Sequence, residues 1–199
     1  MAALGITGTK WKIFESAIYL FSKKGYDNVS LREIAEGVGI KQAAIYYYFK
    51  KKDDILALIY KYYYDTYIST LTPLEELLKL IGKIHPYAVF RELSVLYNKD
   101  FYQLLIRMTQ ILMKQRDYDS RANEIIVDLF FNIPIKYFRP ILKKMIAMNI
   151  IEPLDIDTWI LVITHFNLLS ITRAYSQNPM TDEEWINGRE LIYSIIRCK

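Results

Sequence analysis

Ser30-Leu31-Arg32-Glu33-Ile34-Ala35-Glu36-Gly37-Val38-Gly39-Ile40-Lys41-Gln42-Ala43-Ala44-Ile45-Tyr46-Tyr47-Tyr48-Phe49 decides the fold of this chain. Ser30 is placed as an N-cap, and Glu33 three residues on completes a capping box. Leu31, Ile34, Ala35 and Val38 fall on one face of the short helix that follows. Gly37 and Gly39 break that helix, and 41–49 form a second short helix with Ile45 and Phe49 inward. Two short helices joined by a tight Val38-Gly39-Ile40 turn predict a helix-turn-helix, whose second helix suits the DNA major groove.

Upstream, 11–24 has helical apolar spacing, with Ile13, Ala17, Leu20 and Phe21 on one face and Gly25 as its stop. Downstream, Asp53 and Asp54 open a longer helix to about Thr70, the acids lying near its positive end. Pro73, Pro86, Pro134, Pro140, Pro153 and Pro179 punctuate the remainder. Helices are expected at 74–84, 87–97, 99–116, 121–148 (interrupted near Pro134 or Pro140), 156–176 and 182–197. Asp155 and Thr181 are candidate caps for the last two, and Asn149 is a candidate left-handed residue. No segment alternates with period two, so an all-α fold is expected: a three-helix helix-turn-helix domain over 1–52 and a larger helical domain over 53–199.

Charge follows this division. Residues 1–52 carry nine Lys/Arg against four Asp/Glu, whereas the rest is near neutral. A basic first quarter points to a polyanion, set against the blander reading of a solvated basic face. With 52% hydrophobic and 24% charged residues the chain reads as globular. One cysteine, Cys198, makes no internal disulfide, and there is neither a signal peptide nor an apolar run long enough to span a membrane, so a cytoplasmic protein is expected. His85 and His165 have no His or Cys partner at metal-ligand spacing, Gly37-Val38-Gly39 lacks the third glycine and the strand of a dinucleotide loop, and no Walker sequence exists. Neither a metal site nor a cofactor is expected, and an enzyme is disfavoured.

The candidate DNA contacts are Ser30, Arg32, Lys41, Gln42, Ala43, Ala44, Tyr46, Tyr47, Lys51 and Lys52. Lys41 and Gln42 stand where recognition helices meet base edges, and glutamine can pair twice with an adenine edge. Ala43 and Ala44 allow close approach and contact with a thymine methyl. Tyr46 and Tyr47 offer hydroxyls to phosphates, and Lys50–Lys52 form a cationic run beside them.

The segments 13–26, 30–36, Gly39-Ile40 and 45–56 together resemble the N-terminal signature of the TetR family of transcriptional regulators. The aromatic run ending at Phe49, followed by lysines and the Asp53-Asp54 pair, is its most diagnostic part. The resemblance covers about 11–58. It implies phosphate contacts by Tyr46 and Lys52, and base or backbone contacts by Arg32, Gln42, Ala43 and Tyr47. Lys41 and Ala43 depart from the residues the family often has there, which bears on the bases read rather than on the fold. The resemblance also implies a homodimer on a double-stranded DNA operator, and a repressor released by a small molecule through movement of the helix at 53–70. In this picture the last two helices pair with their copies through Trp159, Ile163, Phe166, Ser170, Trp185, Arg189, Ile192 and Ile196, set against intrachain packing of the same residues. With seventeen tyrosines in the chain, Tyr60, Tyr63, Tyr64, Tyr67, Phe101, Met108, Phe131 and Phe166 are candidates to line a pocket for a hydrophobic or aromatic effector, set against ordinary core packing. The alternative functions are a ligand-insensitive DNA-binding activator or architectural protein with a protein partner, an enzyme on an all-α scaffold, and a pure dimerisation module.

Overall fold

The computed structural model describes residues 7–92, 99–175 and 180–199, excluding the side chains of 91, 99–103, 167, 170–172, 174, 175, 182 and 185. Described residues form α1 (Gly8–Lys24), α2 (Leu31–Val38), α3 (Gln42–Tyr48), α4 (Lys52–Ser69), α5 (Leu74–Leu80), α6 (Pro86–Glu92), α7 (Lys99–Gln115), α8 (Ser120–Val127), α9 (Ile133–Ala147), α10 (Ile156–Tyr175) and α11 (Asp182–Ser194). Among them there is no strand, and the fold is all-α as expected. The chain gathers into two compact units, one of Met1–Ile68 with Asn98–Ile126, the other of Ser69–Tyr97 with Val127–Lys199.

In the first unit, α1 buries Ile13, Phe14, Ala17, Ile18 and Phe21, a stripe at helical spacing, against α2 and α7. Lys23 and Lys24 fill its last turn, and the Gly25 N–H closes it on Phe21 O at 2.9 Å. α2 opens with the predicted capping box, the Ser30 hydroxyl accepting from Glu33 N–H and the Glu33 carboxylate accepting from Ser30 N–H. It ends where Ile40 N–H bonds Ala35 O and Gly39 N–H bonds Glu36 O, a Schellman ending. That ending holds Gly39 at φ 75°, ψ 31°, a left-handed conformation costly for any residue with a Cβ. α1 and α2 approach closely: a Cβ on Gly37 would stand 2.7 Å from Ser16 Oγ.

In the second unit, Leu77, Phe90, Phe138, Trp159, Ile163, Ile192 and Ile196 form part of one buried cluster from α5, α6, α9, α10 and the end of the chain. Trp159 lies 5.1 Å from Phe138, edge to face, and 5.4 Å from Phe90. The interruption expected near Pro134 or Pro140 takes the form of a π-helical turn over Asp128–Asn132, closed by Ile133 N–H on Asp128 O. Pro134 has no N–H to continue an α ladder, and the wide turn just before it absorbs that missing bond. The helix then runs on through Pro140.

Two expected helices are shorter than their periodicity. α5 stops at Leu80, and the chain turns through Gly82. α11 stops at Ser194, because the following residues turn back: Arg197 O accepts from Glu152 N–H at 2.8 Å and Lys199 N–H donates to Ile150 O at 3.0 Å. Asn149 is left-handed as expected, with φ 57°. Both candidate caps also act: Asp155 accepts from the N–H groups of Asp157 and Thr158, and Thr181 forms a capping box with Glu184.

Candidate nucleic-acid interface

Only Ile45 of α3 is fully buried, with Phe49 just beyond it. These two apolar anchors seat a helix of seven residues and leave the rest of its circumference outside. Lys41, Gln42, Ala43 and Ala44 are exposed, as are Tyr46 at 51% and Tyr47 at 86%. An 86% exposed tyrosine contributes almost nothing to the chain's own core, although its ring meets that of Tyr48 edge to face at 5.0 Å. Ser30 and Arg32 are exposed on α2. The Ser30 oxygen accepts its capping bond and keeps an O–H to donate. Arg32 is paired with Glu36 at 2.9 Å, an exposed i,i+4 pair weak enough to exchange for a phosphate.

The three lysines after Phe49 divide. Lys50 and Lys51 are exposed, their backbone N–H groups held by the Asp54 carboxylate at 3.0 and 3.1 Å. Lys51 Nζ lies 3.6 Å from Asp53. Lys52, expected among the phosphate contacts, is turned inward. Its ammonium donates to Tyr26 O at 2.8 Å and Val29 O at 2.9 Å, and sits 4.2 Å from the Tyr26 ring centroid. The carbonyls of the α1–α2 loop have no helical partners there, and a cation at the start of α4 satisfies them.

At the same helix start, Asp53 accepts from Arg121, which also binds Asp119. The Arg121 guanidinium holds both carboxyls below the usual aspartate range. Burial, reinforced by the Asp119 charge, pushes the Tyr60 hydroxyl far up. Spacing gives no warning of these roles, because Tyr26 and Val29 are remote in sequence from Lys52, as Asp53 is from Arg121.

The candidate effector residues fall in both units. Tyr60, Tyr63 and Met108 are buried in the first unit, and Tyr64 and Tyr67 are half-buried there. Tyr63 OH is 2.9 Å from Thr109 Oγ1, and burial raises its pKa to about 12. Phe131 and Phe166 belong to the second unit, Phe131 being exposed and Phe166 half-buried. The Phe101 side chain lies outside the described residues.

The expected interface residues are also divided. Trp159, Ile163, Ile192 and Ile196 are buried in their own unit, with Trp159 Nε1–H donating to Ile192 O at 3.2 Å. Their side chains are already packed within the chain and are not surface residues of it. Phe166 is half-buried, its ring against the place that a Cβ on Gly188 would take. Arg189 donates to Tyr193 OH at 2.6 Å. The side chains of Ser170 and Trp185 lie outside the described residues. Among the described side chains, the outward apolar residues of α10 are Leu161, Val162 and Leu169, and those of α11 are Ile186 and Leu191, with Ile195 following. α10 is apolar around most of its circumference, so its sequence offers two faces and does not say which is inner. Among the described residues no helix is long and apolar enough to cross a membrane, and no cluster of His, Cys, Asp or Glu is placed to hold a metal.

A capped helix, a left-handed glycine turn and a short helix with its outer face bare define a helix-turn-helix DNA-binding regulator. Residues 13–59 match the model of the bacterial regulatory proteins of the tetR family. The chain is 28% identical over 177 residues to the probable HTH-type transcriptional regulator YttP of Bacillus subtilis, covering 73% of this chain and 78% of that protein. A 37-residue stretch is 54% identical to the negative transcriptional regulator IcaR of the Staphylococcus aureus icaADBC biofilm operon, covering 19% of this chain and 20% of IcaR. In fold, the chain resembles the TetR-family regulator PfmR of Thermus thermophilus, with TM-score 0.64, 21% identity and coverage of 91% and 96% of the two chains. It also resembles the ketosteroid transcriptional regulator KstR2 of Mycobacterium tuberculosis, with TM-score 0.63, 16% identity and coverage of 98% and 97%. Over residues 13–59 the chain is thus similar to the TetR family of DNA-binding transcriptional regulators.

Proposed function

We propose that this regulator is a homodimeric repressor that places α3 in the major groove of a double-stranded DNA operator and leaves it when a small molecule binds the helical body. The observation that carries the reading is the bare outer face of α3, where Lys41, Gln42, Ala43, Ala44, Tyr46 and Tyr47 are exposed around one buried anchor. Gln42 and the two alanines are suited to base edges; Ser30, Arg32, Tyr46, Lys50 and Lys51 are suited to phosphates. The inward ammonium of Lys52 supports a role in holding this surface rather than in touching DNA. Repression is supported by the printed role of IcaR as a negative regulator, over the short stretch that the two share.

Dimerisation is supported by the outward apolar residues of α10 and α11, with Leu191 70% exposed. One helix-turn-helix makes too few contacts for tight specific binding, and a pair set one DNA turn apart doubles them. The buried tyrosines of α4 support an aromatic, adaptable effector site in the first unit. Effector binding would shift α4 and with it the spacing of the two recognition helices.

Fluorescence anisotropy on DNA upstream of the gene, across a salt series, tests the reading with wild type and Tyr46→Ala. Tight binding that weakens steeply with salt is expected, with at least tenfold loss in a folded Tyr46→Ala. Equal, sequence-blind binding by both proteins would overturn it. Tight binding unmoved by any effector would favour a ligand-insensitive activator or architectural role.

A further inference from the structure

We propose that Arg121 is a positioning residue for the DNA-reading surface: it clamps the first turn of α4, and through that turn holds α3 and the Lys50-Lys51 pair in place. The inference rests on the assignment of α3 as the recognition helix. α3 is too short to be stable alone, and no side chain caps its start. Its far end is fixed by the turn into α4, where Asp54 holds the N–H groups of Lys50 and Lys51. The adjacent Asp53 faces Arg121. Nη2 donates to Asp53 Oδ1 at 2.6 Å and Nη1 to Oδ2 at 3.4 Å.

The same guanidinium gives Nε–H to Asp119 Oδ1 at 3.0 Å and Nη2–H to Asp119 Oδ2 at 2.7 Å. Asp119 in turn caps the start of α8, its Oδ1 accepting from Arg121 N–H at 3.0 Å. Two turns along α4, the Tyr60 ring lies 5.6 Å from the guanidinium carbon. Asp119 is near enough to the buried Tyr60 hydroxyl for its charge to be felt there. One planar cation thus touches α4 at two levels and α8 at its first turn, a geometry that resists rotation of α4 about its own axis.

The ion pairs are partly exposed, so their worth to global stability is small. Their effect is on placement. Arg121 also keeps Asp53 occupied, which leaves Lys51 only loosely paired at 3.6 Å and available to a phosphate.

The test is amide hydrogen exchange on the full chain, which needs no DNA, for wild type, Arg121→Ala, Arg121→Lys, Asp53→Asn and the Arg121→Ala/Asp53→Asn double variant. Arg121→Ala and Asp53→Asn are each expected to lower protection over 42–56 at least tenfold, with α10 and α11 unchanged. The double variant is expected to be no worse than Arg121→Ala, and Arg121→Lys to fall between that variant and wild type. Wild-type protection over 42–56 in Arg121→Ala, uniform loss across the whole chain, or fully additive effects would overturn the inference. Should Arg121→Ala fail to fold, Asp53→Asn, which keeps the shape of the side chain, decides. Failure of the wild type to retain any fragment of its own genomic DNA would instead overturn the repressor reading and leave the exchange result standing.

Discussion

Lys51 and Lys52 are neighbours with the same charge, and the structure gives them opposite tasks. Lys51 faces solvent; the Lys52 ammonium satisfies two carbonyls of the α1–α2 loop. Each phosphate contact that is lost lowers the salt dependence of DNA binding by about one unit of slope. Lys51→Ala is therefore expected to reduce the slope by about one while leaving the melting temperature in place. Lys52→Met should do the reverse. It strands the Val29 carbonyl at a cost of about 1 kcal/mol or more, so the chain melts earlier with an unchanged salt slope. Melting curves and binding isotherms on the same two variants separate these outcomes. Sequence alone groups the two lysines, because a run of like residues carries no signal of which one finds a partner more than twenty positions away.

At the scale of elements, the first unit is held by close approaches that spacing hints at and only the folded chain specifies. The capping box at Ser30 and Glu33, the stop at Gly39 and the apolar stripe of α1 are local devices, and each was legible. The contact of α1 with α2 at Gly37 was not: a glycine in a short helix reads as a breaker, whereas here it makes room for Ser16. Gly37→Ala is expected to destabilise the chain by about 1–3 kcal/mol through overpacking, despite alanine's better helix propensity. Adding Ser16→Ala removes the oxygen in the way, so the double variant should be at least as stable as Ser16→Ala alone. Denaturant midpoints of the three variants decide; a Gly37→Ala chain as stable as wild type would remove the close approach as an explanation. The π turn before Pro134 was likewise visible only as a break somewhere near a proline, since the cost of the missing N–H can be met on either side of the ring.

For the molecule as a whole, the apolar residues of the last two helices divide between core and surface, a division that their periodicity leaves open. Trp159, Ile163, Ile192 and Ile196 are core, and Leu161, Val162, Leu169, Ile186 and Leu191 face outward. Leu161→Glu together with Leu191→Glu is expected to leave the fold intact and convert a dimer to a monomer in sedimentation, with operator affinity falling at least a hundredfold. A dimer that survives both charges would place the subunit contact elsewhere. The two compact units differ in one more respect. Trp11 belongs to the unit that holds the helix-turn-helix, its indole 5.3 Å from the Phe14 ring and 5.7 Å from that of Tyr62, whereas Trp159 is shut in the core of the other. Each half of the molecule therefore carries an emitter of its own. With Trp159→Phe and Trp185→Phe, and excitation at a wavelength that tyrosine does not absorb, the chain would glow from the DNA-reading half alone, and the loosening of that half could be watched by light without a label.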